Sequence, residues 1–188
     1  MKAIVIEGFG DPAATIRLKD LAEPPPPGPG EVTVEMLVLN INPSDLLQIQ
    51  GLYGTARPPM PFIPGGEAVG RIAAVGDGVA GLAAGDIVSP MILNCWIERV
   101  NMKAALAMKL PADIDLRQAA MLKGNPATAE ALLSDQVALR PGDWLMQNAA
   151  NSAVGTFLAK RARQRGINTL NVVRRDGAVA GVKAAGGT

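Results

Sequence analysis

A strand, a turn, a helix and a second strand follow one another between residues 141 and 173, and this unit constrains the fold most. Residues 144–147 form a short apolar run, a turn of small residues follows, and a helix from about 153 to 165 ends at Gly166. With the second strand, 167–173, the unit has about 30 residues, the length that a crossover between parallel strands requires. This part of the chain is therefore predicted to be of the α/β class.

The residues before this unit follow a different pattern. Short strands separated by turns rich in glycine and proline are predicted at 3–6, 32–39 and 67–75. A further strand is expected through Trp96 toward Leu110. Several short strands at this spacing indicate a small β-barrel.

The spacing of apolar residues becomes helical from Asp113. Asp115 and Gln118 have the spacing of a capping box, and Asn125 with Pro126 begins the next helix. We therefore predict two domains: a barrel over 1–112, and connecting helices with the start of a dinucleotide-binding fold over 113–188.

The composition excludes several classes of partner. Lys and Arg total 18 against 17 Asp and Glu, so no net field draws the protein to nucleic acid or to an anionic membrane. No apolar run approaches the roughly 18 residues of a membrane span. The single cysteine, Cys95, fits a reducing compartment and is expected to be a small buried hydrophobe. Because the N-terminal residues lack a signal or transit pattern, we predict a cytoplasmic location.

The chain contains no histidine, which limits the chemistry available to it. Its absence removes the commonest general base, the Ser/His and Cys/His nucleophile pairs and most transition-metal sites. A catalytic zinc takes three protein ligands of the His, Cys or acidic type. We therefore predict no metal site.

The turn from Asn148 to Gly155 lies where a dinucleotide-binding fold carries GxGxxG. Only the last glycine is present, and Ala150 and Ser152 occupy the other two positions. Small residues there allow a tight turn, backbone approach to a pyrophosphate and close helix packing. Free N–H groups from about Ser152 to Gly155 would face the phosphates. An ordinary strand-to-helix turn is an equal alternative.

Arg174 and Arg175 end the second strand of this unit. A free ribose 2′-hydroxyl is usually bound at this place by Asp or Glu, whereas arginine binds a 2′-phosphate. We therefore predict NADPH rather than NADH. A solvated strand end is the alternative interpretation.

Tyr53, the only tyrosine, follows a short helix that Asn42 and Pro43 begin and Gly51 ends. A phenol keeps its proton at neutral pH and can donate it or hydrogen-bond a developing negative charge. The residues alone favour a packed turn residue.

Several motifs together carry a family resemblance. INPSD, EAVGRIAAVGDGV and AGDIV resemble the medium-chain dehydrogenase/reductase superfamily, which implies a GroES-like β-barrel followed by the first part of a Rossmann domain. INPSDLLQIQGLYG, KGNPATAEALL, QNAANSAVG and NVVRR are similar to its NADPH-dependent trans-2-enoyl thioester reductases of fatty-acid synthesis. Zinc-dependent members carry a histidine where this chain reads Gly65-Gly66-Glu67, which implies a zinc-free branch with Glu67 as a structural residue.

The resemblance implies a reaction and a set of residues. Hydride passes from NADPH to the β-carbon of a trans-2-enoyl thioester, and Tyr53 assists protonation or stabilises the enolate. The implied cofactor contacts, besides Arg174 and Arg175, are Asn125, Asn151, Ser152, Ala153 and Val154. Asn125 can also be a helix N-cap before Pro126.

The resemblance also implies partners. The expected substrate is an acyl thioester of CoA or acyl carrier protein, and the full-length form is expected to be a homodimer. An NADPH-dependent quinone reductase and a non-catalytic GroES-like or cofactor-binding protein are the alternatives. Family members continue through further strands, so we expect weak NADPH binding and little turnover if the polypeptide ends at residue 188.

Overall fold

The chain forms two compact units in the computed structural model, which describes residues 1–54 and 57–187. The first unit comprises residues 1–123, and the second begins at Gly124. Among the described residues, no helix combines the length and the apolar character needed to cross a membrane.

The first unit consists mainly of antiparallel strands. Its elements in chain order are β1 (Lys2–Ile6), α1 (Pro12–Thr15), β2 (Ile16–Asp20), β3 (Glu31–Leu39), α2 (Pro43–Ile49), β4 (Ala68–Val75), β5 (Ile87–Pro90), β6 (Arg99–Lys103), β7 (Ala107–Lys109) and α3 (Leu116–Ala119). Strands β1 and β2 pair with each other, and the other five form a sheet in the order β6-β3-β4-β5-β7. Single bridges from Ala3 to Ile97 and from Ile6 to Phe62 attach β1 to the rest of the unit.

Alternation of apolar residues explains the sheet. Val32 and Val34 of β3, Ile72 of β4, Val88 of β5 and Met102 of β6 are buried in one cluster. Burial of such side chains contributes about 1.5–3 kcal/mol each. The predicted strands at 32–39 and 67–75 are confirmed within one residue of their bounds.

One local prediction needs correction, and two elements were missed. The segment from Trp96 to Leu110 is not one strand: β6 pairs with β3 and β7 with β5, so the two strands lie at opposite edges of the sheet. A 3₁₀ turn, Ala104–Leu106, separates them. The helix α1 and the strand β2 were not predicted, because proline and alanine around α1 interrupt the strand pattern.

The junction between the units differs from the predicted one. Ala119 and Ala120 at the end of α3 are buried against Val69 and Leu110 of the first unit. Residues 113–123 therefore belong to the first unit, and the boundary lies at 123/124 rather than at 112/113.

The second unit contains the predicted crossover. Its elements are α4 (Asn125–Ser134), β8 (Trp144–Gln147), α5 (Ala153–Gln164), β9 (Asn168–Asn171) and α6 (Val179–Ala184). Strands β8 and β9 are parallel, with Trp144 opposite Asn168 and Gln147 opposite Asn171. Apolar side chains of α4 and α5 form the core with Ile167. The strand–helix–strand prediction is confirmed, although β9 is shorter than 167–173.

Candidate functional site

The turn between β8 and α5 folds back onto the end of β9. The N–H of Ala150 donates to the carbonyl of Val172 at 3.3 Å, and the N–H of Ser152 donates to the carbonyl of Ala149 at 2.8 Å. Ala149 has φ +47°, a left-handed conformation that is uncommon for a residue with a Cβ. The turn is thus tight and is held beside the residues that follow β9.

Gly155 allows the turn to pack closely against α5. A Cβ built at this position would lie 2.7 Å from the carbonyl oxygen of Ala150 and 2.9 Å from that of Ala149. Both atoms belong to the backbone and cannot move aside cheaply. The one glycine retained from the GxGxxG pattern therefore stands where close helix packing requires it.

The N-terminus of α5 offers fewer free donors than predicted. The Ser152 hydroxyl accepts from the Gly155 N–H at 3.1 Å and caps the helix. Because Ser152 also donates its own N–H to Ala149, two of the four expected donors are already engaged. The N–H groups of Ala153 and Val154 precede the first intrahelical hydrogen bond, so no carbonyl of the helix can accept from them.

The structure brings three predicted cofactor residues together. Asn151, Arg174, Arg175 and Ala178 line an open pocket of about 430 Å³. Within the part of the chain that the structure describes, neither arginine has an ion-pair partner. Two uncompensated guanidinium groups beside an amide form a donor set suited to phosphate.

Two residues of this region were missed by sequence reasoning. Ala178 lines the pocket from a 3₁₀ turn, Asp176–Ala178, which short sequence patterns do not reveal. The Gln147 amide donates to the Gly155 carbonyl at 3.1 Å and to Asn171 Oδ1 at 2.7 Å. Gln147 thereby ties β8 to α5 and β9, and a polar residue at the end of an apolar strand was the available signal.

Asn125 is not among the residues that line this pocket. It is the first residue of α4, and Gly124 is the N-cap, so the predicted capping role is wrong. Among the described residues no side-chain hydrogen bond caps that helix. The Asn125 amide is half-buried and remains a candidate for a ligand contact.

Tyr53 is exposed in the first unit. It stands between Gly51 and Gly54, whose φ angles are +72° and +77°. Its side chain is 53% exposed, which argues against a packed turn residue. Because the phenol is exposed, it can contact a substrate.

Two buried carboxylates fix the start of α2, the helix that leads to Tyr53. Glu67 Oε2 accepts from the side-chain amides of Asn40 at 2.6 Å and Asn42 at 2.7 Å. Asp45 accepts from the backbone N–H of Asn42 at 2.7 Å and of Gly66 at 3.0 Å. Both carboxylates are at most 4% exposed. Glu67 is thus a structural residue, as predicted.

Cys95 is a buried free thiol, as predicted. Burial is the main cause that raises its pKa, to about 11, and the nearby Asp45 and Glu67 also raise it while Lys123 lowers it. The thiol is therefore neutral at pH 7. In the described ranges, 1–54 and 57–187, no group of three His, Cys, Asp or Glu residues could hold a metal ion.

Comparison with known proteins finds relatives that share this sequence and fold. The model of the alcohol dehydrogenase GroES-like domain matches residues 28–117. The mitochondrial enoyl-[acyl-carrier-protein] reductase of Bos taurus is 42% identical over 176 residues, which are 93% of this chain and 47% of that protein. The human enzyme of the same name is 41% identical over the same length. The chain is similar to the enoyl thioester reductase branch of the medium-chain dehydrogenase/reductase superfamily.

Solved structures agree with this family. The mitochondrial 2-enoyl thioester reductase Etr1p/Etr2p heterodimer from Candida tropicalis matches with a TM-score of 0.85 and 31% identity, over 100% of this chain and 59% of that one. The Etr1p/NADP/crotonyl-CoA complex matches at 0.89 and 30%, with the same coverage. A Bacillus thuringiensis protein provisionally assigned as an NADPH:quinone reductase matches at 0.91 and 33%, over 100% and 56%. The predicted fold, a GroES-like domain followed by part of a Rossmann domain, is confirmed.

The relatives also differ from this chain in length, and their names give a location. The chain spans about half the length of the curated reductases that it matches. The prediction of a cytoplasmic location is wrong, because these relatives are mitochondrial enzymes by name. A single cysteine fits any reducing compartment, so it could not distinguish the two locations.

The close approach at Gly155 predicts a specific loss of stability. Gly155→Ala should destabilise the second unit by about 1–3 kcal/mol, because the added Cβ meets two backbone oxygens. Gly181→Ala is the matched control: nothing lies within 4 Å of its Cβ position, and alanine in helix α6 should stabilise by roughly 0.5–1 kcal/mol. Urea unfolding of both variants measures the difference, and equal stabilities would contradict the packing argument.

Proposed function

We propose that the protein reduces trans-2-enoyl thioesters with NADPH. The observation that carries the proposal is the pocket of Asn151, Arg174 and Arg175 beside the N-terminus of α5. Its donors match a nucleotide that bears an additional phosphate on the ribose. A pocket for NADH would instead be expected to carry an acidic acceptor for the 2′-hydroxyl.

Different residues of the chain suit different groups of the cofactor. The N–H groups of Ala153 and Val154, at the positive end of the α5 dipole, suit the pyrophosphate. The Arg174 and Arg175 guanidinium groups suit the 2′-phosphate, since each can form paired, charge-assisted hydrogen bonds. Asn151 lines the same pocket and can donate its amide. The absence of a Cβ at Gly155 keeps the turn and helix close enough for these donors to converge.

The bound cofactor would supply a hydride to the β-carbon of the acceptor. As that bond forms, negative charge develops on the thioester oxygen, and the α-carbon must then receive a proton. The Tyr53 hydroxyl is suited to hydrogen-bond the oxygen or to donate the proton, because it is an exposed donor. Such assistance is typically worth about 10²- to 10⁴-fold in rate.

The acceptor class is supported by relatives. The Etr1p structure named above was obtained with NADP and crotonyl-CoA, a short enoyl thioester. The curated relatives are named for enoyl groups on acyl carrier protein. CoA and acyl carrier protein both remain candidate carriers, with a role in fatty-acid synthesis as the expected context.

A quinone is the second candidate acceptor. The similarity to the Bacillus thuringiensis protein, at a TM-score of 0.91, favours it. Comparing NADPH oxidation in the presence of crotonyl-CoA and of a quinone separates the two. A dimer is supported by the Etr1p/Etr2p heterodimer, and we propose a homodimer for the full-length protein.

The arginine pocket predicts the cofactor preference. Arg174→Ala combined with Arg175→Ala should raise the Kd for NADPH about 10- to 150-fold, since a charge-assisted hydrogen bond contributes roughly 1.5–3 kcal/mol. The Kd for NADH should change little. Arg140→Ala, an exposed arginine of the same unit outside the pocket, is the control. Titration by cofactor fluorescence measures the Kd of each variant for both cofactors. An equal loss of affinity for NADPH and NADH in the double variant would contradict the 2′-phosphate assignment.

The Tyr53 hydroxyl predicts a loss confined to turnover. Tyr53→Phe removes one oxygen from an exposed side chain, so stability and the Kd for NADPH should be unchanged. Turnover of crotonyl-CoA should fall by about 10²-fold or more. Stopped-flow oxidation of NADPH measures the rate, and full activity in this variant would exclude the proposed role.

A further inference from the structure

The turn that carries Tyr53 is tied to α2 by the Leu52 N–H, which donates to the carbonyl of Leu47 at 2.8 Å. Gly51 and Gly54, both with positive φ, flank it, and glycine restricts the backbone less than any other residue. Among the described residues, the Tyr53 hydroxyl has no hydrogen-bond partner. A defined place for this hydroxyl therefore requires contacts from outside the turn.

The Phe9 ring supplies one such contact before Tyr53 in the chain. A Cβ built at Gly51 would lie 3.0 Å from Cγ and 3.1 Å from Cδ1 of Phe9, so the backbone lies directly against the ring. The N–H of Gly10 donates to the carbonyl of Ile49, the last residue of α2, at 3.2 Å. The segment with Phe9 is thus fastened to the end of the helix that precedes Tyr53.

Arg57 supplies a second contact on the same ring, after Tyr53 in the chain. Its Cζ lies 5.1 Å from the Phe9 ring centroid, within the range of a cation–π interaction. Its Nε would lie 3.4 Å from a Cβ at Gly51. No salt bridge to Arg57 occurs within the described residues.

The ring itself is held by the sheet. Phe62 lies 6.3 Å from Phe9 between ring centroids, with the planes tilted by 40°. The backbone of Phe62 exchanges hydrogen bonds with Ile6 of β1 at 2.9 and 3.0 Å. Residues on both sides of Tyr53 therefore contact one ring that is anchored to a strand.

We propose that Phe9 and Arg57 are positioning residues that fix the Tyr53 hydroxyl for its reaction. The inference rests on the proposed function of Tyr53. Reacting groups must be held closely, because a misplacement of about 1 Å can cost on the order of 10²-fold in rate. Neither residue needs to touch the substrate for this role.

The single tyrosine makes the inference directly measurable. Incorporation of 3-fluorotyrosine gives one ¹⁹F resonance, from position 53. Arg57→Gln removes the cation and should shift or broaden that resonance and lower kcat about two- to fivefold, the range of an exposed cation–π contact. Arg57→Lys keeps a cation and should restore both. KM for NADPH should stay constant in each variant.

Lys160→Gln provides the matched control. Lys160 Nζ lies 5.9 Å from the centroid of Phe157, a comparable pair in the second unit. This variant should leave the ¹⁹F resonance unchanged. Phe9→Leu removes the ring that Gly51 and Arg57 both contact, and it should lower kcat about tenfold or more because the phenol is misplaced. If this variant does not fold, the variants of the exposed Arg57 are sufficient to test the inference.

The outcomes separate this inference from the proposed function. An unchanged ¹⁹F resonance in Arg57→Gln overturns the positioning role, and so does a shifted resonance with unchanged kcat. Full activity in Tyr53→Phe excludes the catalytic role of Tyr53, on which the inference rests, whatever the resonance does. A shift in Arg57→Gln that Arg57→Lys restores, together with the loss of kcat, supports the inference.

Discussion

The close backbone approach at Gly155 is the constraint on which the cofactor half of the structure depends. No side chain larger than hydrogen fits there without displacing the carbonyls of Ala149 and Ala150. The turn can therefore stay tight and donate the Ala150 N–H to Val172, at the end of β9. That hydrogen bond brings Asn151 to the same pocket as Arg174 and Arg175. The missing Cβ of Gly155 thus links local backbone geometry to the pocket that we propose for phosphate.

In the first unit, the contacts of α2 determine where the turn with Tyr53 lies. The buried carboxylates of Asp45 and Glu67 hold Asn42 at the start of α2, and Ile49 at its end is buried against Trp96. Removing a donor to either carboxylate would leave a buried acceptor unsatisfied. The resulting loss of stability exceeds the stability that the hydrogen bond itself contributes. Hydrogen bonds hold the start of this short helix and apolar packing holds its end. The turn with Tyr53 follows directly after it. The Phe9 ring then meets that turn.

Sequence reasoning predicts the elements whose pattern is local. The parallel pair of β8 and β9 follows from an apolar run, a helix and a second strand, and Arg174 and Arg175 follow from their place after that strand. Contacts that depend on tertiary structure were missed. The separation of β6 from β7 depends on which edge of the sheet each strand finds. The role of Gln147 depends on the acceptor at Asn171, and the contact of Arg57 with Phe9 joins residues far apart in the chain.

We propose that the pocket of Asn151, Arg174 and Arg175 recognises a 2′-phosphate. Isothermal titration with adenosine 2′,5′-bisphosphate and with adenosine 5′-monophosphate tests it without any need for turnover. We expect the 2′-phosphorylated ligand to bind at least about tenfold more tightly, with a preference that weakens as salt is added, because the contact is between charges. Equal affinities for the two nucleotides at low salt would contradict it.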